Sequence, residues 1–187
     1  MRTDFGKKSW LVPMPVLIIG TYDENGIPDA MNAAWGSMYD YNQVTVSLGS
    51  HVSTDNIRKN KAFTISFATR NMVEASDYVG CVSLKNEPNK LIKAGLTPLK
   101  SDKVNAPLFK EFPLTLECEL VSIDGNIGEG ATVVGDIINV SADESILTDG
   151  QIDFNKLEPI AFDSISSKYR LVGEVVADAF KVGLKLK

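Results

Sequence analysis

The sequence predicts a mainly β domain, a six-stranded antiparallel barrel carrying short helices. Three observations predict it: six short apolar runs separated by brief helical stretches with no regular βαβ alternation, an Asn-Gly hairpin signal near the N-terminus, and one run of strict in-out alternation near the middle. At 187 residues the chain is read as a single domain spanning 1–187.

The elements follow in order. Pro15 to Thr21 and Asp29 to Ala34 flank Asp23-Glu24-Asn25-Gly26, which predicts two antiparallel strands joined by a tight turn. Gln43 to Leu48 is a third strand, with Val44, Val46 and Leu48 on one face and Thr45 and Ser47 on the other. A short helix over 53–60 comes next, with Ser53 as N-cap and Asn60 as left-handed stop. Ala62 to Ala68 is the fourth strand. A second helix is expected from the capping-box-like Asn71 to Glu74 up to Gly80, and a third from near Pro88 to Gly95. Pro113 to Ile123 gives the clearest strand, with Leu114, Leu116, Cys118 and Leu120 facing in and Thr115, Glu117 and Glu119 facing out. After a Gly-rich turn at 124–130, Thr132 to Val140 is the sixth strand, and Gly135 within it marks a bulge or barrel corner.

Composition excludes several function classes. Hydrophobic residues make up 44% and charged residues 23%, enough for a packed core and too little charge for disorder. The net charge is −5 and the 19 Lys and Arg are scattered, so no nucleic-acid footprint is visible. Arg58-Lys59-Asn60-Lys61 reads as a solvated helix end. Cys81 and Cys118 form no CxxC pair and are expected as reduced thiols. Pro13 and Pro15 interrupt the apolar stretch from Trp10 to Gly20, which is read as a strand rather than a signal peptide, and no run approaches the roughly 18 residues of a membrane span. A cytoplasmic location is the expectation.

A single histidine excludes triads and sites that need two imidazoles. That residue, His51, lies in Ser47-Leu48-Gly49-Ser50-His51-Val52-Ser53-Thr54-Asp55-Asn56, where a strand end passes through a hydroxyl-rich turn into a helix start. Free amides and the positive end of the helix dipole favour a phosphate there, with Ser50, Ser53 and Thr54 as hydroxyl donors. Asp55 would compete with such an anion unless it points away. A plain capped helix is the alternative. A second constellation is Met31-Asn32-Ala33-Ala34-Trp35-Gly36-Ser37-Met38. Its small residues would let a flat ring lie near the backbone, and Asn32 could bond a ring carbonyl or imide edge; the alternative is that Trp35 belongs to the core. Lys90 could reach a phosphate as a point charge, a solvated helix lysine being its ordinary reading. Gly128-Glu129-Gly130 lacks dinucleotide spacing and is read as a turn.

Taken in order, PVLIIGTYDENGIPDAMNAAWGSM, SLGSHVSTDNIRKNKAFTISF, SDYVG, NKLIKAGLTPLKSDKVNAPLFKEFPLTLECEL and GATVVGDIINV resemble the flavin reductase-like, FMN-binding split-barrel family, its flavoredoxin-type members most closely. The ending, Pro159 to Asp163 with Tyr169-Arg170 and Gly173-Glu174, is similar to that subgroup. The resemblance implies a Greek-key split barrel and a homodimer with tightly bound FMN. The flavin ring would lie against 32–35, with Ser47 as a further polar contact and the phosphate near 51–54. It also implies electrons drawn from NAD(P)H or a redox protein, with a non-catalytic electron carrier as the alternative. The segment Val104 to Leu108 would be a dimer or site contact. Many relatives carry a His-Thr pair where this chain has Gly130 and an arginine in the phosphate turn where it has Gly49-Ser50-His51, so no role of either residue transfers.

Overall fold

The computed structural model describes residues 1–187. Seven strands form one antiparallel sheet: β1 (Leu17–Tyr22), β2 (Pro28–Ala33), β3 (Gly36–Asp40), β4 (Gln43–Leu48), β5 (Ala62–Phe67), β6 (Leu114–Ile123) and β7 (Ala131–Ala142). Their order is β2-β1-β5-β6-β7-β4-β3, so the sheet curls into a split barrel whose free edges are β2 and β3. All six expected strands are present. The seventh, β3, pairs Ser37 with Thr45 and is exposed along nearly its whole length.

Period-2 alternation explains the interior. Leu17 and Ile19 of β1, Met31 and Ala33 of β2, Val44, Val46 and Leu48 of β4, Phe63 and Ile65 of β5, Cys118 of β6 and Val133 of β7 fill one apolar core with Ile57. Each large side chain in it contributes roughly 1.5–3 kcal/mol by leaving water. Gly135 stands at a register shift between β6 and β7, and a Cβ there would lie 2.5 Å from Phe63 Cζ. The missing side chain at this bulge therefore makes room for the Phe63 ring.

A second core lies on the outer face of the sheet. Ile18 and Ala30 meet Val79 of α2 (Val73–Cys81), Leu91 of α3 (Lys90–Ala94), Leu96, Phe109 and Phe112. This layer corrects one expectation: Thr115 and Glu117 do leave the barrel interior, but they are buried beneath it, at 3% and 2% exposure. Thr115 bonds Ser66 at 2.8 Å. Glu117 accepts from Ser101 Oγ and, at 2.6 Å, from Asn139 Nδ2, which ties the 101–107 segment to the barrel. Val104 and Ala106, expected at a dimer or site contact, pack here against Ala62 of their own chain.

The helix ends also differ from expectation. The first helix, α1 (Val52–Asn60), starts after His51, which makes no side-chain cap, and it ends at Lys61 in the left-handed region (φ 58°) rather than at Asn60. Asn60 instead donates its amide to the Tyr22 carbonyl. The second helix follows a 3-10 turn at Arg70–Met72 and runs to Cys81, one residue past Gly80; α3 closes on Gly95 as expected. In the tail, Ile160–Asp163 and Lys168–Leu171 form a hairpin that pairs with Met14–Pro15.

Candidate functional site

Where β2, the start of α1 and the end of α2 converge, a cavity of about 160 Å³ opens. Asp29, Met31, Asn32, His51, Ser53 and Lys90 line it together with 79–84. The structure thus joins both sequence constellations with Lys90. Three residues of α2 that sequence reasoning missed, Val79, Gly80 and Cys81, complete the wall. A Cβ on Gly80 would stand 2.8 Å from Asn32 Cβ, so the absent side chain lets α2 lie directly on β2.

The centre of the site is a buried ion pair. Lys90 and Asp29 are each 2% exposed, with Lys90 Nζ 3.0 Å from Asp29 Oδ1. The same oxygen accepts from Ala30 N at 2.9 Å, and Oδ2 accepts from Ser53 Oγ at 2.9 Å. Lys90 is therefore not a solvated helix lysine. An ammonium carries three donors, and Asp29 is the one protein acceptor that Lys90 meets. Two N–H groups of this buried ammonium are left without a protein acceptor, on a residue that lines the cavity.

Beside them, the first-turn amides of α1 at Val52, Ser53 and Thr54 make no hydrogen bond within the chain, as helix geometry requires of an uncapped start. The hydroxyls expected to add donors are engaged elsewhere. Thr54 Oγ1 donates to the Gly49 carbonyl at 2.8 Å, Ser50 Oγ donates to the Gly128 carbonyl at 2.5 Å, and Ser53 serves Asp29. Asn56 is buried and donates to Thr21, so it anchors α1 to β1 rather than lining the cavity. Asp55 does point away, accepting from Gly128 N at 3.0 Å. The His51 ring folds over Gly49, whose Cβ would lie 2.9 Å from Nε2. A Cβ on Gly130 would lie 3.0 Å from the Leu48 carbonyl oxygen.

The 31–35 segment splits by face. Met31 and Ala33 point into the barrel core, whereas Asn32 faces α2 and donates through Nδ2 to the Ser76 carbonyl at 2.9 Å. Holding that NH2 group leaves Asn32 Oδ1 as an acceptor. Ala34 is half-buried and Trp35 is 61% exposed, outside the core. The Trp35 carbonyl accepts from Ser47 N at 2.8 Å, which fixes the chain where β2 turns into β3, and the Ser47 side chain lies on the outer face. Leu48 is core.

A buried cation with spare donors, bare helix amides and an adjoining strand of small residues suit a ligand with an anionic end and a flat body. A model of the flavin reductase like domain matches residues 9–158. The chain belongs to the flavin reductase-like family. Among solved structures, flavoredoxin of Desulfovibrio vulgaris (Miyazaki F) is 35% identical with a TM-score of 0.91, covering 98% of this chain and 100% of its own. Flavoredoxin from Methanosarcina acetivorans is 26% identical with a TM-score of 0.89, both chains being covered in full. An FMN-binding domain of a flavin reductases-like enzyme from Shewanella baltica shares the fold at 20% identity, with a TM-score of 0.76 and 88% of each chain covered.

Proposed function

We propose that this family member is an FMN-dependent oxidoreductase of the flavin reductase or flavoredoxin type, passing electrons from NAD(P)H or a redox protein to an acceptor. The observation that carries the reading is Lys90: a buried ammonium with two unused donors, on a residue lining the cavity that the start of α1 also lines. Lys90 and the amides of Val52, Ser53 and Thr54 would hold the phosphate, and Asn32 Oδ1 with the backbone at 32–35 would meet the ring. FMN, when bound, supplies hydride and one-electron chemistry. The chain's share is to fix the ring's orientation and to place polar groups at its edge.

A homodimer suits the exposed apolar side chains of the split edge, Trp35, Met38, Tyr39 and Tyr41, and of the terminal arms, where Phe180 is 99% and Leu186 93% exposed. No helix is long and apolar enough to cross a membrane, and the proposed workplace is the cytoplasm. Gly130 favours the second reading, an electron carrier without turnover on nicotinamide, because it offers no side chain to bind that donor or to handle a proton. Anaerobic addition of NADH and NADPH to the FMN-loaded protein separates the two. Bleaching of the flavin band within seconds is expected, and no bleaching with either nucleotide leaves the carrier.

A further inference from the structure

Asp29 is a puzzling neighbour for a phosphate. It is buried, it borders the cavity, and it occupies one donor of Lys90 together with the Ser53 hydroxyl. Its carboxylate cancels the charge of Lys90, so the cradle is close to neutral apart from the α1 dipole. A phosphate monoester carries about −1.5 to −2 charge at neutral pH. Bringing it beside a buried carboxylate introduces a repulsion that the surrounding low dielectric screens poorly.

We propose that Asp29 is a specificity-determining residue: by neutralising Lys90 and occupying the Ser53 hydroxyl, it limits the pocket's preference for a dianionic phosphate over an uncharged ligand of the same body. The inference rests on the reading of this cavity as the FMN phosphate site. It has a geometric component as well as a charge. Ser53 has one hydrogen, and it goes to Asp29 Oδ2. In Asp29→Asn the amide oxygen still accepts from Lys90 while the NH2 donates to Ser53 Oγ, which turns the Ser53 hydrogen toward the cavity. The substitution thus releases both a charge and a donor with no change in volume.

The test compares FMN with riboflavin, which shares the ring and ribityl chain and lacks the phosphate, by fluorescence titration of the wild-type protein, Asp29→Asn and Lys90→Met. In Asp29→Asn the affinity ratio of FMN to riboflavin should rise about tenfold or more over wild type, with riboflavin affinity unchanged. An unchanged or lowered ratio, with Lys90→Met weakening FMN, overturns the role of Asp29 and leaves the phosphate site standing. FMN binding indifferent to Lys90→Met removes the phosphate site and this inference with it. If Asp29→Asn does not fold alone, because Lys90 is then buried without a counter-ion, refolding rescued by FMN and not by riboflavin supports the proposal. Equal rescue, or none, overturns it.

Discussion

Two buried carboxylates, Asp29 and Glu117, look alike and do different work. Each is 2% exposed, and each has its oxygens filled by hydrogen bonds. The partners of Glu117 are neutral: Ser101, whose Oγ in turn accepts from Lys103 N and Val104 N, and Asn139. That network closes on itself and fastens a loop. Asp29 is bonded to a cation that lines a cavity and whose remaining donors have no protein partner. Burial and satisfaction of the carboxylate are therefore common to structural and functional sites; what separates them is whether the partner's donors are used up. A saturated network holds a fold, and an unsaturated one can bind.

Removing one partner from each network exposes the contrast. Lys90→Met leaves Asp29 as an uncompensated buried charge and should cost about 3–5 kcal/mol of stability. In addition it should weaken FMN binding by about 10- to 100-fold, the range of a lost charge-assisted bond. Glu117→Ala strands the Asn139 amide and frees the 101–107 loop, at about 1–3 kcal/mol. Its FMN affinity should stay within about twofold of wild type. Denaturant melts and flavin titrations on both variants check this. Equal loss of FMN affinity in the two would show that the loop, and not the open donors of Lys90, governs the pocket.

The sequence made the barrel interior legible because period-2 alternation is local: Val44, Val46 and Leu48 announce their face without reference to any other strand. Edge strand β3 was missed because Gly36-Ser-Met-Tyr-Asp has almost no buried face to alternate, and it exists through its pairing with β4. Alternation placed Thr115 and Glu117 outside the barrel correctly, yet it carries no information about what covers the outside. Of the candidate site, the turn before α1 and Asn32, which the structure brings to one cavity, were visible from residue type and spacing. Asp29 was not, because a carboxylate after Pro28 near a hairpin turn reads as surface, and its partner Lys90 lies 61 residues away. The apparent donors Ser50, Ser53 and Thr54 had the right chemistry, but hydroxyls also satisfy nearby carbonyls and carboxylates, and only the fold decides which.

Gly80→Ala probes the wall that the two networks do not touch. Its Cβ would meet Asn32 at 2.8 Å, closer than packed carbons allow, so α2 must shift off β2. Overpacking of this kind costs about 1–3 kcal/mol. Because Asn32 donates to Ser76 on the same helix, the shift should also disturb the flavin, seen as a changed visible band shape and weaker binding. Stability lost with an unaltered flavin spectrum would place the ring away from Asn32.

A third carboxylate, Asp77, supplies the smallest effect and the sharpest contrast, since it is exposed and paired to a phenol. Tyr169 of the C-terminal hairpin donates to Asp77 Oδ1 at 2.7 Å, and partial burial, followed by that bond and the nearby negative charge, pushes the Tyr169 hydroxyl up to about 12. The sign follows from linkage. A group whose folded value is raised contributes stability in full below its unfolded value, near 10 for tyrosine, and loses it as pH rises through the folded value. Tyr169→Phe keeps the ring that packs on Phe162 and removes the hydroxyl. It should cost about 1 kcal/mol or less at pH 7. The gap between wild type and variant should then close between pH 10 and 12. Cys118, pushed up to about 12 chiefly by burial, and Tyr22, raised by burial, titrate alike in both proteins, so the difference between the two stability curves isolates Tyr169. A gap that persists past pH 12 would mean that the hydroxyl acts through packing rather than through its bond to Asp77.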